Sequence, residues 1–277
     1  MKLHAIQTGF FKLDGGAMFG VVPKSIWQKT NPADENNLCS WAMRCLLVED
    51  GNRLILIDNG LGDKQDSKFF SHYHLHGDHS LLKSLHEAGF HENDVTDMFL
   101  THLHFDHCGG GLRREDGQLE LTFKNAKYWS NEDHWKWATQ PNPREKASFL
   151  KENILPMQES GHLHLVNPLD PSPFPFAIFY ASGHTDKMMI PRIPYKGRTV
   201  CFVADLLPSV GHIPLPYVMG YDTRPLLTME EKERFLNEAA DEKYILYFEH
   251  DPVNECCTVM KTDRGVRLDQ TLRLSEL

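Results

Sequence analysis

His102-Leu103-His104-Phe105-Asp106-His107 packs three imidazoles and one carboxylate into six residues. Neutral imidazole and carboxylate together suit Zn²⁺ and similar first-row cations. In an extended segment, residues 102, 104 and 106 share one face, and a turn at Asp106–His107 swings the last imidazole round. One loop can then serve two cations, His102 and His104 holding one, Asp106 and His107 the other. Three segments in the second half also end in ligand-type side chains. Phe176 to Ala181 runs into Ser182-Gly183-His184, Val200 to Ala204 into Asp205, and Ile245 to Phe248 into Glu249-His250-Asp251. With the first cluster they supply five imidazoles and two carboxylates, a set suited to two cations sharing one carboxylate and one hydroxide. Sixteen histidines in 277 residues point the same way.

Apolar Val95 to Leu100 must deliver the loop and reads as a strand, and Gly109 to Gly111 let the backbone turn tightly behind it. His74-Leu75-His76-Gly77-Asp78-His79 spells the same pattern, with His72 before it. A charged loop and Lys68-Phe69-Phe70-Ser71 precede that run and a helix follows it at once. The expectation is a polar loop near the site mouth, with the ligands at 102–107. Cys108 reads as a small buried thiol packing the glycine turn. Trp129, Trp135 and Trp137 read as helix packing, and His162 and His164 as surface or strand-pairing residues.

Upstream, Phe10 to Val22 reads as β. Met43 to Glu49 and Arg53 to Asp58 flank Asp50-Gly51-Asn52 as a hairpin. Ser80 to Ala88 has helical spacing with Gly89 as its stop, and a second helix starts near Ser130-Asn131. Arg144 to Leu155 is expected as a helix closed by Pro156, and Asn167 to Pro175 as a loop. Strands are expected at 176–181, 199–204 and 244–248, and a helix from a Thr228 cap to about Ala240. Alternating strands and helices favour a sheet core with outer helices, and residues 1–277 read as a single domain.

Composition limits the options. The net charge of −9 disfavours a nucleic-acid partner. No apolar run reaches membrane-span length, and Met1 to Gln7 lacks a signal-peptide core. Six scattered cysteines do not form a disulfide framework, so a cytoplasmic location with reduced thiols is expected.

The order Asp58, His102-Leu103-His104-Phe105-Asp106-His107, Gly183-His184-Thr185, Ala204-Asp205 and Glu249-His250 resembles the metallo-β-lactamase superfamily over most of the chain. The resemblance implies an α/β (α+β) fold, a four-layer αββα sandwich. It implies that His102, His104 and His184 hold one Zn²⁺ and that Asp106, His107 and His250 hold a second. Asp205 would bridge them, and Asp58 would orient a ligand imidazole. Iron and manganese are the alternative metals. Within the superfamily, Thr101 to His107, the opening Lys12 to Gly20 and the Asp205 bridge are most similar to quorum-quenching N-acyl-homoserine lactonases and their organophosphate-hydrolase relatives. Two departures stand out. Gly183-His184-Thr185-Asp186-Lys187-Met188 lacks the lactonase-type second histidine, and Pro208 stands where those enzymes place a tyrosine.

The implied activity is hydrolysis of esters or lactones, N-acyl-homoserine lactones first, with Asp106 relaying a proton to the leaving group. A phosphotriester or phosphodiester substrate on the same site is the nearest alternative, and iron redox chemistry is the alternative from another class. Phe105, His212, Tyr217, Tyr221, Met18 and Phe19 are the expected pocket residues. A small-molecule substrate and a homodimer are the partners expected.

Overall fold

Gly51 and Asn52 turn the chain between two antiparallel strands, with Asp50 opposite Arg53 and Leu46 opposite Ile57. Gly51 supplies the positive φ of 59° that such a tight turn demands. The computed structural model describes residues 1–277. Close contacts divide the chain into two interleaved units. The first comprises Met1–Gly9, Met43–Pro175 and Lys187–Met189, the second Phe10–Ala42, Phe176–Asp186 and Ile190–Leu277. The fold class is mixed α/β.

The strands before residue 170 are β1 (Lys2–Asp14), β2 (Leu38–Asp50), β3 (Arg53–Ile57), β4 (Asp97–Phe99), β5 (Leu112–Glu115), β6 (Gln118–Leu121), β7 (Lys127–Asn131) and β8 (Leu163–Val166). Six of them form one sheet in the order β1-β2-β3-β4-β7-β8, and β5 and β6 pair as a separate ribbon. β3, β4, β7 and β8 run parallel. Parallel strands are covered on both faces, and Arg53 to Ile57 and Asp97 to Phe99 are accordingly all buried save Arg53 at the start. Ile57, Phe99 and Trp129 stand in register. The residues just beyond them (Asp58, Thr101 and the start of the Glu132–Thr139 helix) therefore emerge together at the carboxyl end of the sheet, where sites form in parallel arrays.

The remaining strands are β9 (Ala177–Ala181), β10 (Met188–Tyr195), β11 (Arg198–Phe202), β12 (Ile245–Tyr247), β13 (Cys256–Thr262) and β14 (Gly265–Leu272), in sheet order β14-β13-β12-β11-β10-β9. β11 and β12 are parallel, with Phe202 opposite Tyr247. Asp205 and His250 each follow three residues later. Equal offsets from paired positions make those two side chains neighbours.

Several expected boundaries move. The strand expected over 95–100 pairs only at Asp97–Phe99, because Val95 ends a 3₁₀ turn at Glu92–Asp94 and Thr96 uses its hydroxyl to receive the amide of Leu54. The helix expected at 144–155 runs instead from Lys151 to Glu159 with Pro156 inside it. Burial of Asn153, Ile154 and Met157 on one face outweighs the hydrogen bond that the proline removes. The last helix begins at Pro225, not Thr228. Proline suits the first helical turn, where its missing N–H goes unused. After β1 the chain enters a short helix at Gly15–Phe19, where β was expected to continue. Its two prolines hid β10 from sequence patterning.

Candidate metal centre

Asp58 is fully buried in the left-handed region at φ 56°, a strained conformation for a non-glycine residue. The strain sets its carboxylate. Oδ1 accepts the amide of Thr101 at 2.7 Å, while Oδ2 accepts the Thr101 hydroxyl at 2.6 Å and His107 Nδ1 at 3.0 Å. Gly109 and Gly110 close the loop from behind. A Cβ on them would lie 2.1 Å from the Leu61 carbonyl oxygen and 2.2 Å from that of Asn59. Space, not a positive φ, is what requires glycine at these two positions.

These anchors fix the tautomers of the ligand imidazoles. The Thr101 hydroxyl hydrogen goes to Asp58, so its oxygen accepts from His102 Nδ1 at 3.1 Å. His102 Nε2 is left with its lone pair. His104 Nε2 donates towards Glu145 Oε1 at 3.4 Å, leaving the lone pair on Nδ1. Those two lone-pair nitrogens face each other at 3.1 Å. Neutral imidazoles would repel there, and a proton or a cation must lie between them. His107 repeats the pattern: Nδ1 donates to Asp58, and Nε2 points to Asp106 Oδ2 at 3.7 Å. Chains of this kind, from carboxylate through imidazole to cation, set ligand orientation in metal sites.

The second unit carries a matching constellation. The Asp205 carboxylate lies between two imidazoles, with His184 Nε2 3.0 Å from Oδ2 and His250 Nε2 3.0 Å from Oδ1. His250 Nδ1 donates to the Ala42 carbonyl at 2.8 Å, so its Nε2 lone pair also faces a carboxylate oxygen. His184 Nδ1 meets Asp222 at 2.9 Å. Burial lowers the pKa of His184, but Asp205 and then Asp222 outweigh it and raise the value to about 10. Ala204, just before Asp205, is left-handed at φ 42°. The donors are oxygen and imidazole nitrogen, buried and with lone pairs converging. That is the environment a divalent first-row cation requires, and the residues fit one.

The loop around His184 is held by the helix Pro225–Asp241. Glu231 accepts the amides of Ser182 and Gly183, and Arg224 reaches the Ser182 carbonyl and Asp186. A Cβ on Gly183 would lie 2.3 Å from the backbone of Thr228. Lys232 is buried in the same helix and donates to the carbonyls of Pro214, Leu215 and Tyr217. Burial pulls its pKa down to about 7.

The seven expected ligands thus fall into two sets, His102, His104, Asp106 and His107 in the first unit and His184, Asp205 and His250 in the second. All seven are buried. Among the expected pocket residues, Phe105 touches Phe69 at 5.4 Å and Tyr73 at 4.8 Å. Tyr73 is half-buried, and burial with the nearby charge of Asp106 pushes its pKa up to about 12. His212 is spoken for by the fold: Nε2 donates to the Met18 carbonyl, Nδ1 accepts the Ser209 hydroxyl, and the ring stacks on Phe19 at 4.4 Å. Burial draws its pKa down to about 3, so the ring stays neutral. Met18 and Phe19 are buried in that same packing. Tyr217 is half-buried, and Tyr221 is 40% exposed. Cys108 is buried, its thiol on the Leu103 carbonyl and its pKa pushed up to about 12 by burial.

Glu145, Asp222 and His134 went unread in the sequence. His134 Nε2 receives the Leu103 amide at 2.9 Å and so holds the ligand loop from its middle. Glu145 also binds Asn142 Nδ2 at 2.7 Å and Trp137 Nε1 at 2.5 Å, giving Trp137 a polar role beyond packing.

The metallo-β-lactamase superfamily model matches residues 44–116. A probable metal-dependent hydrolase from Staphylococcus aureus superposes with a TM-score of 0.87 at 28% identity, over 98% of this chain and 96% of that one. AidC, a dizinc quorum-quenching lactonase solved with the product N-hexanoyl-L-homoserine, gives 0.77 at 23% identity over 96% and 93%. The hydrolase AbOPH of the β-lactamase superfamily gives 0.78 at 23% over 96% and 92%. A search of curated proteins finds no match. No helix is long and apolar enough to cross a membrane.

Proposed function

We propose that the chain, whose residues 44–116 match the metallo-β-lactamase superfamily model, is a dinuclear zinc hydrolase of carboxylic esters and lactones. N-acyl-homoserine lactones are the favoured substrates. His102, His104 and His184 would hold one ion, Asp106, His107 and His250 the other, with Asp205 shared between them. The observation that carries this reading is the set of opposed acceptors: His102 against His104 at 3.1 Å, and His250 against Asp205 at 3.0 Å. Bound ions supply Lewis acidity and bring the pKa of water from about 16 to about 7, giving a nucleophile at neutral pH without Ser or Cys.

The chain's own residues do the rest. Asp58, Glu145, Asp222, the Ala42 carbonyl and the Thr101 hydroxyl each meet one nitrogen of a candidate ligand histidine, so the other nitrogen of each is the one that would face an ion. Asp106 receives a proton at its carboxylate and passes it to the leaving alkoxide. Phe69, Phe105 and Tyr73 form an aromatic patch beside Asp106 that suits an acyl chain, and Tyr73 keeps its proton at neutral pH and can donate to a substrate oxygen. The dizinc lactonase AidC supports the choice of metal and substrate class.

The test is a parallel assay of purified protein against acyl-homoserine lactones, aryl esters and phosphotriesters, with chelation and zinc restoration. Lactone or ester turnover that disappears on chelation and returns with zinc is expected. Turnover indifferent to chelation, or confined to phosphotriesters, contradicts the proposal.

A further inference from the structure

A cavity of about 690 Å³ lies in the first unit, between the end of the helix Glu132–Thr139 and the start of the helix Lys151–Glu159. That volume falls in the range of small-molecule sites, ~300–1,000 Å³. Its floor is apolar. Ala138, Phe149 and Ile154 are buried there, and Pro141 and Leu155 are half-buried beside them. Lys146 and Lys151 also line it, and both are exposed, so the cations stand at its open side. The floor is braced from behind. The Phe149 ring packs 4.8 Å from that of His104 and 5.9 Å from that of His134, and the Ser148 carbonyl accepts the Phe105 amide at 2.9 Å.

The charge over this floor is uncompensated. Each lysine has a glutamate next to it in sequence, and neither glutamate serves it. Glu145 is buried and turned to His104, Trp137 and Asn142. Glu152 goes to Arg114 and Gln65. Neither Lys146 nor Lys151 has an ion-pair partner. Lys151 is moreover the first residue of its helix, where the macrodipole disfavours a cation, and Leu150 before it gives no side-chain cap. Lys151, Ile154 and Leu155 stand at i, i+3 and i+4, so one face of the helix carries both the cation and the apolar wall. In a chain of net charge −9 this is a local positive potential above an apolar floor. An anionic head group relieves both ammonium groups and the helix end together, and an apolar tail covers the floor.

We propose that this cavity binds a free alkyl carboxylate, its tail against Phe149, Ile154 and Leu155 and its head between Lys146, Lys151 and the helix start. No residue lining the cavity is a candidate metal ligand, so the site stands independently of the hydrolytic reading.

The test is isothermal titration of the purified, zinc-loaded protein with decanoate, decanol and acetate, each below its aggregation limit. Wild type is compared with K146E/K151E, which reverses the charge, and with L155W, which fills the cavity. The lysines are exposed and glutamate suits a first helical turn, so the charge reversal keeps the fold and decides the matter even if L155W does not fold. Carboxylate held by the metals themselves is common to all variants, so the site is read as the difference between them. Wild type should take up one decanoate more per chain than either variant. At this site decanol should bind at least about tenfold more weakly than decanoate, and acetate not measurably. Equal decanoate uptake by wild type and K146E/K151E overturns the proposal, as does decanol binding as tightly as decanoate. Retention on phosphatidylglycerol vesicles without binding of decanoate would assign the lysines to a membrane surface and overturn it as well.

Discussion

His74-Leu75-His76-Gly77-Asp78-His79 and His102-Leu103-His104-Phe105-Asp106-His107 carry the same ligand letters at the same spacing. Residues 74–79 are all exposed, and His76 Nδ1 meets the carbonyl of His74 two residues away. Residues 102–107 are all buried, and their three imidazoles are supported from outside the motif: His107 by Asp58, His102 by the neighbouring Thr101 with Asp58 behind it, and His104 by Glu145. The difference lies in what stands behind the motif. An exposed imidazole rotates freely and prefers water. A buried one with its N–H pinned to a carboxylate has a single direction left for its lone pair, and that preorganisation turns a spelling into a site.

If support from behind makes the site, removing it should cost nearly as much as removing a ligand. Asp58→Ala strips the anchor from His107 and from the Thr101–His102 relay together. We expect the largest loss, with bound metal below half of wild type by elemental analysis and turnover down at least about 100-fold. Glu145→Gln keeps the shape but weakens the hold on one imidazole, His104. Metal affinity should fall about tenfold, measured by competition with a chromophoric chelator.

The pH dependence of the chelated protein sharpens the same contrast. His184 sits near 10 in the fold against an ordinary value of 6.5. The folded value is the higher one, so the stabilisation is fully present below about pH 6.5 and is lost as pH rises through about 10. Thermal melts of chelated protein should show the midpoint falling between pH 7 and pH 10. Zinc should flatten that fall, since the cation replaces the proton, and zinc uptake at pH 8 should release protons. A melt midpoint that rises over this range in chelated protein would reverse the sign and refute the assignment. The smallest effect belongs to the upstream run: the double variant H74A/H76A should keep wild-type metal content and a melting temperature within about 2 °C, in line with surface substitutions. Metal loss in that variant would move the site to the wrong copy of the motif.

The candidate ligands could be picked out because each set follows a short apolar strand, and strand ends can be read from local composition. Asp205 and His250 illustrate the limit. Their positions could be read, but the equal three-residue offset from paired Phe202 and Tyr247 depends on a parallel register that no local signal encodes. Glu145 fell in a segment read as helix that the structure leaves as a turn, Asp222 lay in a loop without periodicity, and neither could be separated from ordinary surface carboxylates. His212 misled in the opposite sense: its nearness to Asp205 in sequence suggested a pocket, while its ring nitrogens close a buried link between Ser209 and Met18. Pro156 and the two prolines of β10 show burial overriding local backbone preference.

Anomalous diffraction at the zinc edge from crystals of the purified protein tests the centre most directly. Two peaks are expected, one among His102, His104 and His184, the other among Asp106, His107 and His250, with Asp205 reaching both. A map with no peak beside any of these residues, from protein that still hydrolyses its substrate, would contradict the dinuclear assignment.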